Sequence, residues 1–255
     1  VRLQNRKAYR LHEKVWIGKT EELLEDMDRL VRENDHFEIN SILHADVSVA
    51  TALNETTDPQ TKPKEGGGDG DKVDLLRKVN TYARKHPGVQ ATLLNNFIKH
   101  IDFPEVIDDS HKVYANVRDQ RFNEMEYSVP AAVGPACMRE VLKTIRDQNL
   151  NSFFPVEYRY IKGDDIPLSM FEGGERCAIS VHQSYEMSYH DFFAQIEPIF
   201  WKYDGRPHWG KLHTLNAAQL SKLYPRWKEF TDLRQALDPK GRFLNGHLRS
   251  VFGVN

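Results

Sequence analysis

Apolar positions along this chain change period several times, and each change marks an element. Residues 8–17 carry the alternation and the β-branched and aromatic content of a strand, which stops at Gly18. A helical stripe follows at once: Leu23, Leu24, Met27, Leu30 and Val31 share one face, Thr20 stands at the N-cap position, Glu21 and Glu22 fill the first turn, and the stripe ends near Asn34. Residues 37–43 and 47–53 read as two short strands. This strand, helix, strand, strand order predicts an antiparallel or mixed sheet with a helix on one face. Residues 54–72 predict a loop. Two more stripes, Val73, Leu76, Val79, Tyr82 and then Val89, Leu93, Leu94, Phe97, Ile98, Ile101, separated by His86-Pro87-Gly88, predict a helical hairpin laid on the sheet.

Past Lys112 the strand period returns. Met125, Tyr127 and Val129 alternate with Glu124, Glu126 and Ser128. Val156, Tyr158 and Tyr160 alternate with Glu157 and Arg159, and Cys177, Ile179, Val181 and Tyr185 with Ala178, Ser180, His182 and Ser184. Three strands thus acquire one packing face and one polar face. Between them Pro135 opens a helix with Cys137, Met138, Val141, Leu142 and Ile145 as its stripe. Another carries Phe192, Phe193, Ile196, Ile199 and Phe200, with Pro198 expected to kink it or shift its boundary. A last helix is expected from Leu223 through Leu233 and Leu237 to the stop at Asp238-Pro239-Lys240-Gly241, and Phe243, Leu244, Val251 and Phe252 are apolar enough to dock. The fold class is therefore α+β, a large, mostly antiparallel sheet flanked by helices, with residues 1–255 as one domain.

Composition narrows the partners. With 255 residues, 40% hydrophobic, 28% charged and a net charge of −2, the chain is ordinary globular material with no field favouring nucleic acid or an anionic membrane. No apolar run is long enough to span a bilayer, and neither a signal peptide nor a disulfide pattern is visible; Cys137 and Cys177 read as buried thiols. A soluble, cytoplasmic, reducing environment is the expectation. The chain begins at Val1 and alternates like a strand almost immediately, so it reads as a piece of something longer.

The stretch Arg206-Pro207-His208-Trp209-Gly210-Lys211-Leu212-His213 gathers a guanidinium, an ammonium and two imidazoles on a backbone restricted by Pro207, with Gly210 free to take a positive φ or a close approach. Glu157 and Arg159, two apart on one strand, lie about 7 Å apart on one face. Alone they read equally well as a solvated ion pair. Glu124, Glu126 and His182 turn the same way, which makes a crowded, mixed-charge surface suited to hydroxyls, with Glu126 assigned to the sheet or the rim. His44, Asp46 and His111 lack the spacing of a metal set, so no metal is expected. The glycine run at 66–70 has no preceding strand and no Gly-Lys-Ser/Thr after it, and there is no Gly-x-Ser-x-Gly elbow, so neither a phosphate cradle nor acyl transfer is supported.

Together the strand Glu126-Tyr127-Ser128-Val129-Pro130, the segment Pro155-Val156-Glu157-Tyr158-Arg159, His208-Trp209-Gly210-Lys211, Leu223-Tyr224-Pro225-Arg226-Trp227 and Asp238-Pro239-Lys240-Gly241-Arg242-Phe243-Leu244-Asn245 resemble the C-terminal domain of the sugar-lactone and alditol oxidases of the vanillyl-alcohol-oxidase flavoprotein superfamily. The resemblance implies a cap over the flavin ring of FAD, with Glu157, Arg159 and Lys211 as the catalytic set and His182, Glu124 and His208 contacting substrate. It also implies a polyol or sugar-lactone substrate, hydride transfer to flavin with O2 as electron acceptor, and an FAD-binding domain outside these residues, in cis or as a separate chain. In that setting Lys211, placed beside Arg159, is the first choice for a base. The alternative expectation is a carbohydrate-binding or interaction domain without catalysis.

Overall fold

The computed structural model describes residues 4–61, 69–83, 85–86, 89–115 and 120–254, with the side chains of 69–74 left aside. Most of the glycine run, together with Pro87 and Gly88, lies outside the described residues. Eight strands form one sheet in the order β4-β1-β3-β2-β6-β7-β5-β8, and every ladder in it is antiparallel. The strands are β1 (Arg10–Lys19), β2 (His36–Ser41), β3 (Val47–Thr56), β4 (Val106–Asp109), β5 (Phe122–Pro130), β6 (Val156–Ile161), β7 (Arg176–Ser184) and β8 (Arg206–Pro207). The expected fold class is the one observed.

One face of the sheet carries the main core. Helices α1 (Thr20–Glu25), α2 (Met27–Glu33), α6 (Gly134–Asp147) and α7 (His190–Lys202) contribute to the apolar cluster that includes Phe37, Ile39, Met125, Tyr127, Tyr158, Ile179 and Val181. The predicted first helix is thus two short ones broken at Asp26. Thr20 does not cap it; its hydroxyl bonds Ser48 Oγ at 2.8 Å instead. Gly134 is where α6 touches the sheet, since a Cβ there would stand 2.4 Å from Cys177 Sγ and 2.5 Å from the Tyr158 hydroxyl. In α7, Phe200 stacks on Tyr127 at 4.9 Å, and burial of this kind makes truncation of Phe200 cost about 3–5 kcal/mol. Pro198 sits inside α7 without ending it: Ala194, whose carbonyl loses its N–H partner, is on the exposed side.

The hairpin of α3 (Asp69–Ala83) and α4 (Gln90–Ile98) lies where expected, and Leu76, Val79, Leu93, Leu94, Phe97 and Ile98 of its stripe pack with Ile17, Val47 and Val49 in a second cluster. Tyr82 and Val89 are exposed instead, while Asn80, Ala83 and Gln90 are buried. The short helix α5 (Ser110–Tyr114) follows β4. Tyr185 falls just past the end of β7 and is 56% exposed, with the Arg121 guanidinium over its ring. The tail differs most from expectation. It folds as α8 (Ala217–Leu223), α9 (Trp227–Leu237) and α10 (Gly246–Phe252), in which Val251 and Phe252 dock while Leu237 and Phe243 remain 77% and 85% exposed. Asn216 closes a capping box on α8 and Asn245 caps α10, polar signals that the search for apolar stripes passes over.

Candidate functional site

Register assembles the site. In an antiparallel ladder directly opposed residues share a face, so Ile17, Val49, Asn40, Glu157, Ser180 and Glu126 form one row across six strands. The neighbouring row runs Val15, Thr51, Glu38, Arg159, Ala178, Ser128 and Arg206. His182 and Glu124 oppose each other one step further along β7 and β5. Ile17 and Val49 lie under the α3–α4 hairpin, which therefore walls one end of this polar face. From α3, Asn80 donates to the Ser152 carbonyl at 3.1 Å, and Ser152 Oγ donates to the His182 carbonyl at 2.7 Å.

The other wall is the strap of residues 206–213. Its backbone follows β5: the N–H of His208 donates to the Glu126 carbonyl at 2.9 Å and that of Leu212 to the Glu124 carbonyl at 3.0 Å, while the Lys211 N–H closes a turn onto the His208 carbonyl at 3.0 Å. Trp209 anchors this turn. Its indole donates to the Leu168 carbonyl at 2.7 Å and packs on Tyr224 and Phe252. Gly210 is not in the left-handed region. Its N–H donates to His208 Nδ1 at 3.0 Å, so the tight turn rests on that bond.

Arg159 Nη2 lies 3.2 Å from Glu126 Oε2 and 3.4 Å from Glu157 Oε2. Burial alone would lower the guanidinium's pKa, but Glu157, Glu126, Glu38 and Glu124 outweigh it and raise the value. Lys211 ion-pairs with Glu124 Oε2, and His182 Nε2 faces Glu124 Oε1 at 3.5 Å. Burial pushes the Glu124 carboxyl up, yet the contacts with His182 and Lys211 prevail and hold it at about 2. Among the described residues, Arg159 Nε and Ser180 Oγ are buried on this face with no partner.

The structure thus brings together Glu157, Arg159, Lys211, His182 and Glu124. His208 stands apart, its Nδ1 spent on its own turn and its side chain in no hydrogen bond or ion pair with the other five among the described residues. Two expectations sharpen. Lys211 is ion-paired with Glu124, and of the two places expected for Glu126, the sheet or the rim, it takes the sheet, 4% exposed and holding the Arg159 guanidinium. Sequence reasoning missed Glu38, Asn40 and Ser180. The alternation of Phe37 and Ile39 with Glu38 and Asn40 was a usable signal, but only the pairing of β2 with β6 sets them beside Arg159 and Glu157. His44, Asp46 and His111 form no metal cluster among the described residues, whereas one ligand atom each from Glu124, Glu157 and His182 lie within 4.8 Å of one another. Cys137 and Cys177 are buried free thiols; burial pushes that of Cys177 up to about 12, which removes it as a nucleophile.

The antiparallel sheet with its helices is shared with cholesterol oxidase from B. sterolicum, whose solved structure superposes with a TM-score of 0.70 over 96% of this chain and 60% of that one, at 13% identity. That likeness defines the fold. A sequence profile described as D-arabinono-1,4-lactone oxidase matches residues 1–251, and the chain belongs to that family, whose members are FAD-dependent oxidoreductases acting on sugar lactones or alcohols. The L-gulono-1,4-lactone dehydrogenase of Mycobacterium tuberculosis is 34% identical over 99% of the chain, and the L-gulonolactone oxidase of Mus musculus is 31% identical over 56% of it. The chain spans 60% of the mycobacterial relative's length and matches 34% of the mouse relative's.

Proposed function

We propose that residues 1–255 form the substrate-side cap of an FAD-dependent oxidoreductase that oxidises a CH–OH carbon of a neutral sugar 1,4-lactone or an alditol, with O2 as electron acceptor and with the FAD-binding domain outside these residues. The observation that carries this reading is the polar face itself. A guanidinium, an ammonium, an imidazole and several carboxylates converge there, with Arg159 Nε and Ser180 Oγ left without partners in a buried setting. Leaving such groups unmade costs about 1–3 kcal/mol each, and a hydroxyl-rich ligand relieves it.

The same orphaned donors suit the ring-and-substrate side of bound FAD, and Arg159 and Lys211 are the residues that would stand beside it. When bound, FAD supplies the hydride acceptor. Glu157 accepts a hydrogen bond from the substrate hydroxyl and, with Glu126, fixes the guanidinium plane. Arg159 Nε donates to the substrate oxygen as that oxygen passes its proton to the Glu157 carboxylate. Lys211, held by Glu124, adds a second fixed positive charge facing the developing anion, and such preorganised charge lowers the barrier because nothing has to reorient during reaction. Paired with Glu124, Lys211 acts in this reading as a fixed charge, with Glu157 taking the proton.

The test is anaerobic stopped-flow flavin reduction with an alditol and with a 1,4-lactone, in a protein that includes the FAD-binding domain. Arg159→Ala and Lys211→Ala are each expected to slow reduction about 10²-fold or more. Near-normal rates in both variants would leave a polar face that binds sugar without catalysis.

A further inference from the structure

The polar face holds a second arrangement that hydride transfer does not need. The Nδ1 of His182 faces the Pro155 carbonyl at 3.3 Å, and a carbonyl only accepts, so Nδ1 carries the proton of that bond. Nε2 then points at Glu124 Oε1, 3.5 Å away. Phe122 meets the imidazole edge-on at 5.1 Å and Phe154 lies at 6.0 Å, so the ring is locked in this orientation. A backbone carbonyl on one ring nitrogen, fixing the other toward carboxylates, is how proteins orient a metal-ligating histidine.

The carboxylates have oxygens to offer. Lys211 engages Oε2 of Glu124, leaving Oε1 on the His182 side, and Arg159 engages Oε2 of Glu157. The three ligand atoms lie within 4.8 Å of one another. Metal bonds of about 2.0–2.1 Å place tetrahedral ligands about 3.3 Å apart, so the His182–Glu124 pair is nearly there and rotation of the Glu157 side chain closes the rest. A second observation points the same way. Ser180, fully buried, sits directly between Glu157 and Glu126 in the cross-strand row with its hydroxyl unpartnered, and it supplies a further oxygen on the same face.

We propose that Glu124, Glu157 and His182 form a divalent-metal site, and that its ligand set, one imidazole and two carboxylates, selects a borderline transition ion such as Zn²⁺ or Co²⁺ over Mg²⁺ or Ca²⁺. The ligands come from β5, β6 and β7, so no short-range spacing in the sequence could announce them. A bound ion occupies the Glu157 carboxylate, so metal and polyol compete for the face. Binding of the metal needs no flavin, and it stands or falls independently of the proposed reaction.

The experiment uses the protein with its FAD-binding domain in place and no sugar present. Zn²⁺ is titrated calorimetrically, and Co²⁺ is followed by its visible d–d absorption, which reports geometry and inner-sphere ligation. A single equivalent is expected to bind with a tetrahedral or five-coordinate Co²⁺ spectrum. His182→Gln and Glu157→Gln should each weaken binding at least about tenfold, a loss that even an outer partner of a metal ligand can cause. Lys211→Met, which removes a repelling ammonium and no ligand, should tighten it, and His111→Gln should leave it unchanged. Thermal unfolding of each variant checks the fold, and Glu157, which is more exposed than His182, serves if His182→Gln fails to fold. An octahedral aquo spectrum without binding heat, or an affinity untouched by Glu157→Gln, overturns the proposal.

Discussion

Arg159 and the pair Arg176 and Arg206 lie on the same face of one sheet, yet they are held in opposite ways. Arg176 donates to Ser128 Oγ at 3.1 Å and to the carbonyls of Ser128 and Asp204 at 2.7 Å; Arg206 donates to the carbonyls of Leu223 and Glu172 at 2.9 and 2.7 Å. Arg159 has carboxylates for partners and one N–H without any. The electrostatics follow. Burial, and then the neighbouring Arg206, bring Arg176 down to about 10, and burial lowers Arg206, whereas the carboxylates raise Arg159. A cation saturated by backbone carbonyls is a structural tie, joining β5, β7, β8 and the loops around them. A cation set among carboxylates with a donor to spare is a binding group, and solvent exposure alone does not separate the two.

The largest effect that would sharpen this contrast is on stability. Arg176→Met removes the donor of two buried Ser128 acceptors and of the Asp204 carbonyl and is expected to cost about 3–5 kcal/mol in urea unfolding, with little change in slope. A cost under about 1 kcal/mol would break the distinction. Next comes acid. Glu124 has a carboxyl value of about 2 in the fold against 4.5 ordinarily. Between these values the unfolded chain binds more protons than the folded one, so the contribution of Glu124 is complete above 4.5 and is lost as pH falls toward 2. It amounts to at most about 3 kcal/mol. Glu124→Gln should flatten the pH dependence of unfolding across that window, and an unchanged slope would show that the ion pair with Lys211 is not formed in solution. The smallest effect is expected from Arg159→Lys, which keeps the charge but loses Nε. Stability should shift by less than about 1 kcal/mol, while the guanidinium fork needed for two carboxylates and a ligand oxygen is gone.

Most of the fold was legible because β5, β6 and β7 alternate strictly and α6 and α7 carry full apolar stripes. Glu157 with Arg159, and Glu124 with His182, could be placed on a common face from parity alone. What parity cannot supply is register across strands distant in sequence. Lys211 was matched with Arg159 because both are cations in a motif, but the strap runs along β5, and that puts Glu124 under it. Glu126 was set aside because nothing in its own strand shows that Arg159 lies two strands away, across β7. The tail was misread for a different reason. The helix through Leu233 and Leu237 forms as expected, but Phe243, apolar enough to dock, stays exposed, because only tertiary contact decides whether an apolar residue past a helix end is covered.

The order of the strands also bears on when the site comes into being. Glu38 is next to Arg159 through β2 and β6, Glu126 reaches it through β7, and Lys211 arrives on a strap that pairs back onto β5. None of these contacts belongs to a hairpin that could close early. Loop-closure entropy has to be met before each of them forms, so the polar face assembles only as folding finishes. The strap, tied to the sheet by the short β8 and the Trp209 anchor, belongs to the same late step. Native-state hydrogen exchange should therefore find the His208 and Leu212 amides opening before the interior of β7.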